Sequence, residues 1–231
     1  MIKGPGKLKN YGFPRFYREK EMGRINWKGS VLLAPVPSVM VTCGKGDEAN
    51  IITIGWCGVV SSKPPRVYIS VRPERHSHRL IEENGEFVIN LTPSSMVEIC
   101  DYVGTVTGRC VKKAEKTGLS LIQSEKVEVP TIEQCPLALE CRVFQKLSMG
   151  SHDMYLADVI SVSVDEKLID SDGKLRLDRV NLLVYSHGEY FETGKKLGPI
   201  GTSMTKGKRG KFAKVGATAP VARGKGRKSN D

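Results

Sequence analysis

The 231-residue sequence predicts a mainly β chain, an antiparallel, Greek-key-like barrel with two or three short helices over its ends. Three observations predict it. About seven runs carry the β-branched and alternating character of strands. The segments between them are short and turn-like, as hairpin connections are. The long helices that a doubly wound parallel sheet needs between its strands are missing.

The elements follow in order. Residues 1–30 are basic, aromatic and glycine-bearing without periodicity, and residues 1–27 read as an N-terminal arm. VLLAPVPSVMVT, residues 31–42, reads as a strand that Pro35 and Pro37 force to an edge or a bulge. GKGDEAN is a turn. Residues 50–60 and 66–72 read as two strands joined by SSKPP. Ser77 caps a helix through LIEEN, Gly85 ends it, and EFVINL returns as a strand. SSMVEICDYVG fits a short helix with a serine cap. GTVTGR is a loop, and VKKAEK a short helix ending at Gly118. Residues 137–147 and 153–164 are long strands separated by SMGSH, and VNLLVYS at 180–186 is a third, followed by the turn HGE. Order falls from Gly194 onward. There is no internal repeat.

Composition bounds the function. A hydrophobic share of 39% supports one core, and no apolar run reaches the length of a membrane span. The N-terminal MIKGPGKLKNYGFPRFYREK lacks an apolar h-region, so a soluble cytoplasmic protein is expected. The net charge is +11, of which residues 206–231, with nine Lys or Arg and one Asp, hold +8, leaving +3 for residues 1–205. Residues 204–231 therefore read as a basic tail that stays disordered. The six cysteines, at 43, 57, 100, 110, 135 and 141, show no CxxC spacing and no nearby histidine at zinc-finger spacing. Free and mostly buried thiols are expected, with neither a disulfide framework nor a structural metal. A GxGxxG after a strand, a Walker A ending in GK[ST], a GxSxG elbow and an HExxH helix are all absent, so hydrolytic chemistry has no seat.

The stretch NIITIGWCGVVSSKPPRVYISVRP, residues 50–73, carries more. Ile51, Ile52 and Ile54 are core residues of a strand. Asn50, Thr53, Ser61 and Ser62 stand at strand ends beside a Pro-Pro turn, where amides and hydroxyls can hold a planar, hydrogen-bonding ligand. An isoalloxazine ring needs such a wall, apolar on its face and polar along one edge.

Extended to NIITIGWCGVVSSKPPRVYISVRPERHSHRLIEENGEFVINL, this stretch resembles the flavin reductase-like family, which includes the flavoredoxins. Downstream, TGRCVKKAEKTGL is similar to the family's Ser-Gly-Arg…Lys loop, MGSHDMYLADVISV to its Gly-x-His-Asp strand, and LLVYSHGEYFETG to its closing Tyr-rich strand. The resemblance covers residues 28–203. It implies an FMN-binding split β-barrel, a homodimer with non-covalent FMN near the subunit interface. Carried over, Asn50, Thr53, Gly55, Trp56 and Cys57 line the ring and ribityl region. Ser70, Arg72, His76 and Ser77 approach the phosphate, Arg109 and Lys113 form a second basic loop, and His152 faces the open side of the flavin as the candidate catalytic residue.

Physical chemistry agrees with that assignment: a phosphate near the dianion is satisfied by Arg72, the Ser77 hydroxyl and the start of the following helix. Other readings stay open. Lys113 is a ligand or a helix-surface lysine, Trp56 a stacking partner or core packing, Cys57 a redox thiol or a buried one, and His152 a working residue or a hydrogen-bonded turn histidine. At the level of function, the resemblance implies an FMN redox flavoprotein passing electrons from NAD(P)H or a protein donor to an acceptor. The alternatives are a polyanion- or nucleic-acid-binding protein that uses the basic tail, and a non-redox FMN-binding module.

Overall fold

A computed structural model describes residues 24–201. The tail expected over 204–231 and residues 1–23 of the expected arm lie outside the described residues. The chain divides into a unit ending at Leu33 and a unit beginning at Ala34. Residues 24–33 of the first hold no helix or strand, and the second carries all that follows.

The strand expected over 31–42 starts only at Val36 and is broken in two, β1 (Val36–Pro37) and β2 (Val39–Cys43). Proline cannot donate to a ladder, and at Pro37 the chain leaves one sheet for another. After a turn in which Gly44 takes a positive φ of 77°, β3 (Asn50–Ile54) begins. The single strand expected over 50–60 is also two: β3 stops before Gly55–Trp56, and β4 (Cys57–Ser62) follows. Next come β5 (Pro65–Val71), α1 (His76–Asn84) and β6 (Glu86–Leu91), with Gly85 left-handed at the helix end as expected. The serine caps do not form. The residue before α1 is Arg75, and the Ser77 hydroxyl accepts a hydrogen bond from Asn50 Nδ2 at 2.9 Å. A 3₁₀ turn over Ser94–Met96 leads into α2 (Val97–Thr105), and Ser94 donates to Glu192 instead of capping.

The expected short helix is α3 (Lys113–Thr117), ended by left-handed Gly118. A small ladder of β7 (Leu121–Ile122) and β8 (Thr131–Ile132) has no counterpart in the sequence reading. The two long strands are β9 (Leu137–Ser148) and β10 (Asp153–Val164). The final hairpin is β11 (Leu183–Ser186) and β12 (Glu189–Glu192), which pairs with β1 in a three-stranded sheet.

The main sheet has seven strands in the order β3-β2-β6-β9-β10-β5-β4, every neighbour antiparallel. Its two edge strands, β3 and β4, are joined by only two residues, Gly55 and Trp56. Consecutive Cα atoms lie about 3.8 Å apart, so the sheet must curl until its edges nearly meet. They meet without exchanging ladder bonds, and the Ser70 N–H, donating to the Trp56 carbonyl at 2.9 Å, carries the β4–β5 pairing one residue into the joint. The result is a split β-barrel, mainly β, with short helices.

Period-2 alternation fills it. β2 sends Val39, Val41 and Cys43 inward, β5 sends Val67, Ile69 and Val71, and Phe87, Ile89, Tyr155 and Ala157 meet them, with Leu80 and Ile81 of α1 closing one end. The opposite face of β2 and β3 presents Met40 and Ile51 to Cys100 and Val103 of α2. The six cysteines are free thiols; Cys43, Cys100, Cys135 and Cys141 are buried. Among the described residues no helix is long and apolar enough to cross a membrane, and no group of three or more His, Cys, Asp or Glu is placed to hold a metal.

Candidate functional site

The closure point of the barrel leaves a cleft of about 350 Å³. Its floor is Ile52, Thr53 and Ile54 of β3 with Ser70 and Val71 of β5. One wall is Gly55, Trp56, Arg72 and His152; the other is Asp101, Gly104 and Thr105 of α2 with Tyr185 and Tyr190 of the final hairpin. A second, smaller cleft continues from it, since both share Ile52, Arg75 and Gly104. It is lined by Asn50, His76, Ser77, Gly108 and Lys113.

The aromatic end is built by pairing. Trp56 is 41% exposed, and its ring centroid lies 4.5 Å from that of His152 at 39°. Trp56 is therefore a wall of the cleft and not core packing. The His152 Nδ1 pairs with Ser151 Oγ at 2.9 Å, and burial together with the nearby Arg72 charge holds the imidazole below its ordinary pKa. Across the cleft, Tyr185 and Tyr190 meet edge to face at 5.9 Å, and the Tyr190 hydroxyl donates to Asp101 Oδ1 at 3.1 Å.

The other end is cationic. Helix α1 starts here, and the N-terminal end of its dipole carries partial positive charge. Arg75 donates to the Gly104 carbonyl at 3.4 Å, while Arg72 makes an exposed ion pair with Glu74 at 3.4 Å. Lys113 is 4% exposed, which excludes the surface-lysine reading. Its ammonium donates to the carbonyls of Ile51 and Val103, both at 2.7 Å, and no carboxylate lies within ion-pair distance of it among the described residues. Burial pushes its pKa down to about 8. His76 is also held low, by burial and then by the charges of Arg79 and Arg109. Glycines let the backbone close in. A Cβ on Gly108 would stand 2.2 Å from Asn50 Oδ1, and one on Gly104 would stand 2.9 Å from Thr53 Cβ.

Ten of the twelve residues that the resemblance assigns line these two clefts, while Ser61 and Ser62, singled out beside the Pro-Pro turn, line neither. Thr53, Gly55, Trp56, Ser70, Arg72 and His152 line the first, and Asn50, His76, Ser77 and Lys113 the second. Cys57 and Arg109 line neither. Cys57 is half-buried, packs against the barrel core, and burial raises its thiol to about 11. Arg109 is exposed on its loop, though its charge is felt at His76. Sequence reasoning missed Arg75, Asp101, Gly104, Gly108, Tyr185 and Tyr190. Arg75 had a signal, its place at a helix start between Arg72 and His76. The tyrosines had one in the Tyr-rich stretch LLVYSHGEYFETG, and Asp101 had none, because it reaches the cleft from an element distant in the chain.

The arrangement suits a long ligand with an anionic end and a planar ring. The cation-rich end has a buried ammonium lacking a counter-charge, and the aromatic end has hydroxyls and backbone at its floor. An FMN phosphate and ring fit that donor set.

The model of the flavin reductase like domain matches residues 32–194. An uncharacterized protein of Pyrococcus abyssi is 31% identical over 166 residues, covering 72% of this chain and 94% of its own. Among solved structures, the flavoredoxin of Desulfovibrio vulgaris (Miyazaki F) is similar with a TM-score of 0.73 at 24% identity, covering 79% of this chain and 100% of that one. The flavoredoxin from Methanosarcina acetivorans gives 0.71 at 26%, with the same coverage.

Proposed function

Because this chain belongs to the flavin reductase-like family, we propose that it is an FMN-binding redox flavoprotein that passes electrons from NAD(P)H or a protein donor to an acceptor. The observation that carries the reading is Lys113, a buried cation without a carboxylate partner beside Arg75 and the start of α1, at the far end of a cleft walled by Trp56 and His152.

FMN would supply reversible uptake of a hydride or of single electrons, which no side chain in the clefts provides. The chain's residues do the rest. Arg72, Arg75, Lys113 and the first turn of α1 hold the phosphate. Asn50 and Thr53 face the ribityl region, and Gly104 and Gly108 leave room for it. Trp56 and the tyrosine pair exclude water from the ring faces. His152, neutral near pH 7 because its pKa is held low, is the group placed to hold or accept a proton at the open side.

Two further elements belong to this reading. The flavoredoxins among the similar structures favour a carrier that receives electrons from a protein; the wide aromatic cleft favours a nicotinamide donor. Anaerobic mixing decides between them: bleaching of bound flavin by NADH or NADPH makes it a reductase. A homodimer is the second. Tyr68, Leu147, Met154 and Leu156 stand on the outer barrel face, opposite the inward residues of their strands, with Phe144 half-exposed beside them. Apolar sheet faces of this kind are commonly covered by a second copy.

The test of the whole reading is selectivity. FMN should bind more tightly than riboflavin, and Arg72→Ala or Arg75→Ala should weaken FMN about tenfold, since a charge-assisted hydrogen bond contributes about 1.5–3 kcal/mol. Equal affinity of the wild-type chain for FMN and riboflavin sinks it. A colourless protein that shifts RNA or DNA favours instead the polyanion reading of the basic tail.

A further inference from the structure

The turn that carries His152 is anchored by a residue outside the clefts. Asp153 opens β10 and is 7% exposed. Both of its oxygens are engaged: Oδ2 accepts from His78 Nε2 at 2.8 Å, and Oδ1 accepts from Ser148 Oγ at 2.7 Å. These bonds hold its carboxyl below the usual range. Ser148 and Asp153 are also the last paired residues of the β9–β10 hairpin, and Met149 N–H donates to the His152 carbonyl at 2.8 Å inside the turn.

His78 lies on α1, two residues after His76, and its ring edge packs on Tyr155 at 5.6 Å. One turn further along the same helix face, Glu82 accepts from Lys146 of β9 at 2.9 Å. Helix α1, whose first turn forms the cationic end of the site, is thus tied twice to the hairpin that carries His152. Among the described residues His152 itself has Ser151 and the Trp56 ring as its hydrogen-bond and ring partners.

We propose that Asp153, clamped by His78, is a positioning residue that holds His152 against Trp56 at the mouth of the cleft. A backbone fixed at residue 153 leaves residue 152 little freedom, and the His78 bond registers the turn against α1 and so against the cationic end. The clamp rests on the proposed function only in treating the cleft as a ligand site.

The test is optical and needs no flavin. The chain has two tryptophans, Trp27 and Trp56, so a Trp27→Phe full-length chain reports Trp56 alone. A protonated imidazole stacked on an indole quenches its emission, so fluorescence should fall as pH drops through the titration of His152. That step is expected below the ordinary histidine range, because burial and Arg72 disfavour the proton more than Glu74 favours it. His152→Ala, which removes the step, assigns it. In Asp153→Asn and in His78→Leu most of the step should be lost, and what remains should move up toward the ordinary histidine value. His78→Gln, which keeps an N–H at the same reach, should retain it. If Asp153→Asn does not fold, the two His78 variants decide alone. A wild-type step in the Asp153 and His78→Leu variants, or equal loss in His78→Leu and His78→Gln, overturns the clamp. Absence of FMN binding bears on the proposed function and leaves this measurement intact.

Discussion

Lys113 shows how far a single residue can be read from its neighbours. A lysine in VKKAEK offers a surface cation or a ligand, and the fold gives neither in simple form: the amine is buried on two backbone carbonyls. Burial disfavours the charged amine, and its pKa falls to about 8. A phosphate dianion beside it favours the proton, so the ligand-bound pKa lies above the free one. FMN affinity should therefore be full from above the phosphate's second pKa of about 6 up to about pH 8, and fall as pH rises through the latter toward the bound-state pKa. The phosphate itself, with a second pKa of about 6, does not change charge there. Flavin-fluorescence titrations at neutral pH and well above pH 8 check this; riboflavin, lacking the phosphate, should show no such fall. The other site residues divide by the same logic. Asn50 and Thr53 were legible because polar groups at strand ends have few structural uses, and Trp56 and Arg72 because the order of motifs resembles the family's. Asp101 was not, because an acid on a helix has many structural uses.

At the scale of elements, alternation and turn residues told the truth locally and failed at joints. β5, β6, β9 and β10 fall close to their expected ranges because period-2 burial and flanking Gly or Pro are local signals. The run over 50–60 looked continuous, yet it is cut at Gly55–Trp56, since one half pairs with β2 and the other with β5. The serine caps failed because Ser77 is drawn to Asn50 and Ser94 to Glu192. Close packing of α2 on β3 gives a sharp test. Gly104→Ala puts a Cβ at 2.9 Å from Thr53 Cβ, and overpacking of this kind costs about 1–3 kcal/mol. The expected outcome is a lower denaturant midpoint with an unchanged slope, although alanine favours an isolated helix over glycine. An unchanged midpoint would show that α2 shifts freely away from the barrel.

For the whole molecule, charge and assembly are the testable properties. Nine cations in residues 206–231 attract polyanions by releasing counterions, with a slope of about −0.9 in log affinity against log salt per duplex phosphate neutralised. A chain stopped at Thr205 should lose most salt-sensitive binding to such polymers and keep its FMN content. Loss of flavin on truncation would tie the tail to the site. Light scattering of the full chain with saturating FMN should give twice the 25.4 kDa chain mass, and a monomer would leave the outer face of Tyr68, Leu156 and Met154 without the occupant proposed for it.

By itself the sequence determined the class of fold, most strands, the ends of α1 and α3, and ten of the residues that line the clefts. The fold elements are written within a few neighbours, in side-chain period or a glycine after a helix; of the cleft residues, Asn50 and Thr53 stand out as polar groups at a strand end, and most of the others came through the family resemblance of motifs in order. Tertiary structure alone decided that β3 and β4 are opposite edges of one sheet, that Lys113 is buried, and that Asp101, Arg75 and the tyrosines face one cleft. It also brought together His78 and Asp153, 75 residues apart in the chain. Local pattern fixes which side of an element is apolar, but not which distant partner will bury it. That choice is made when all the apolar faces are satisfied at once, and the clefts form where the curled sheet fails to close.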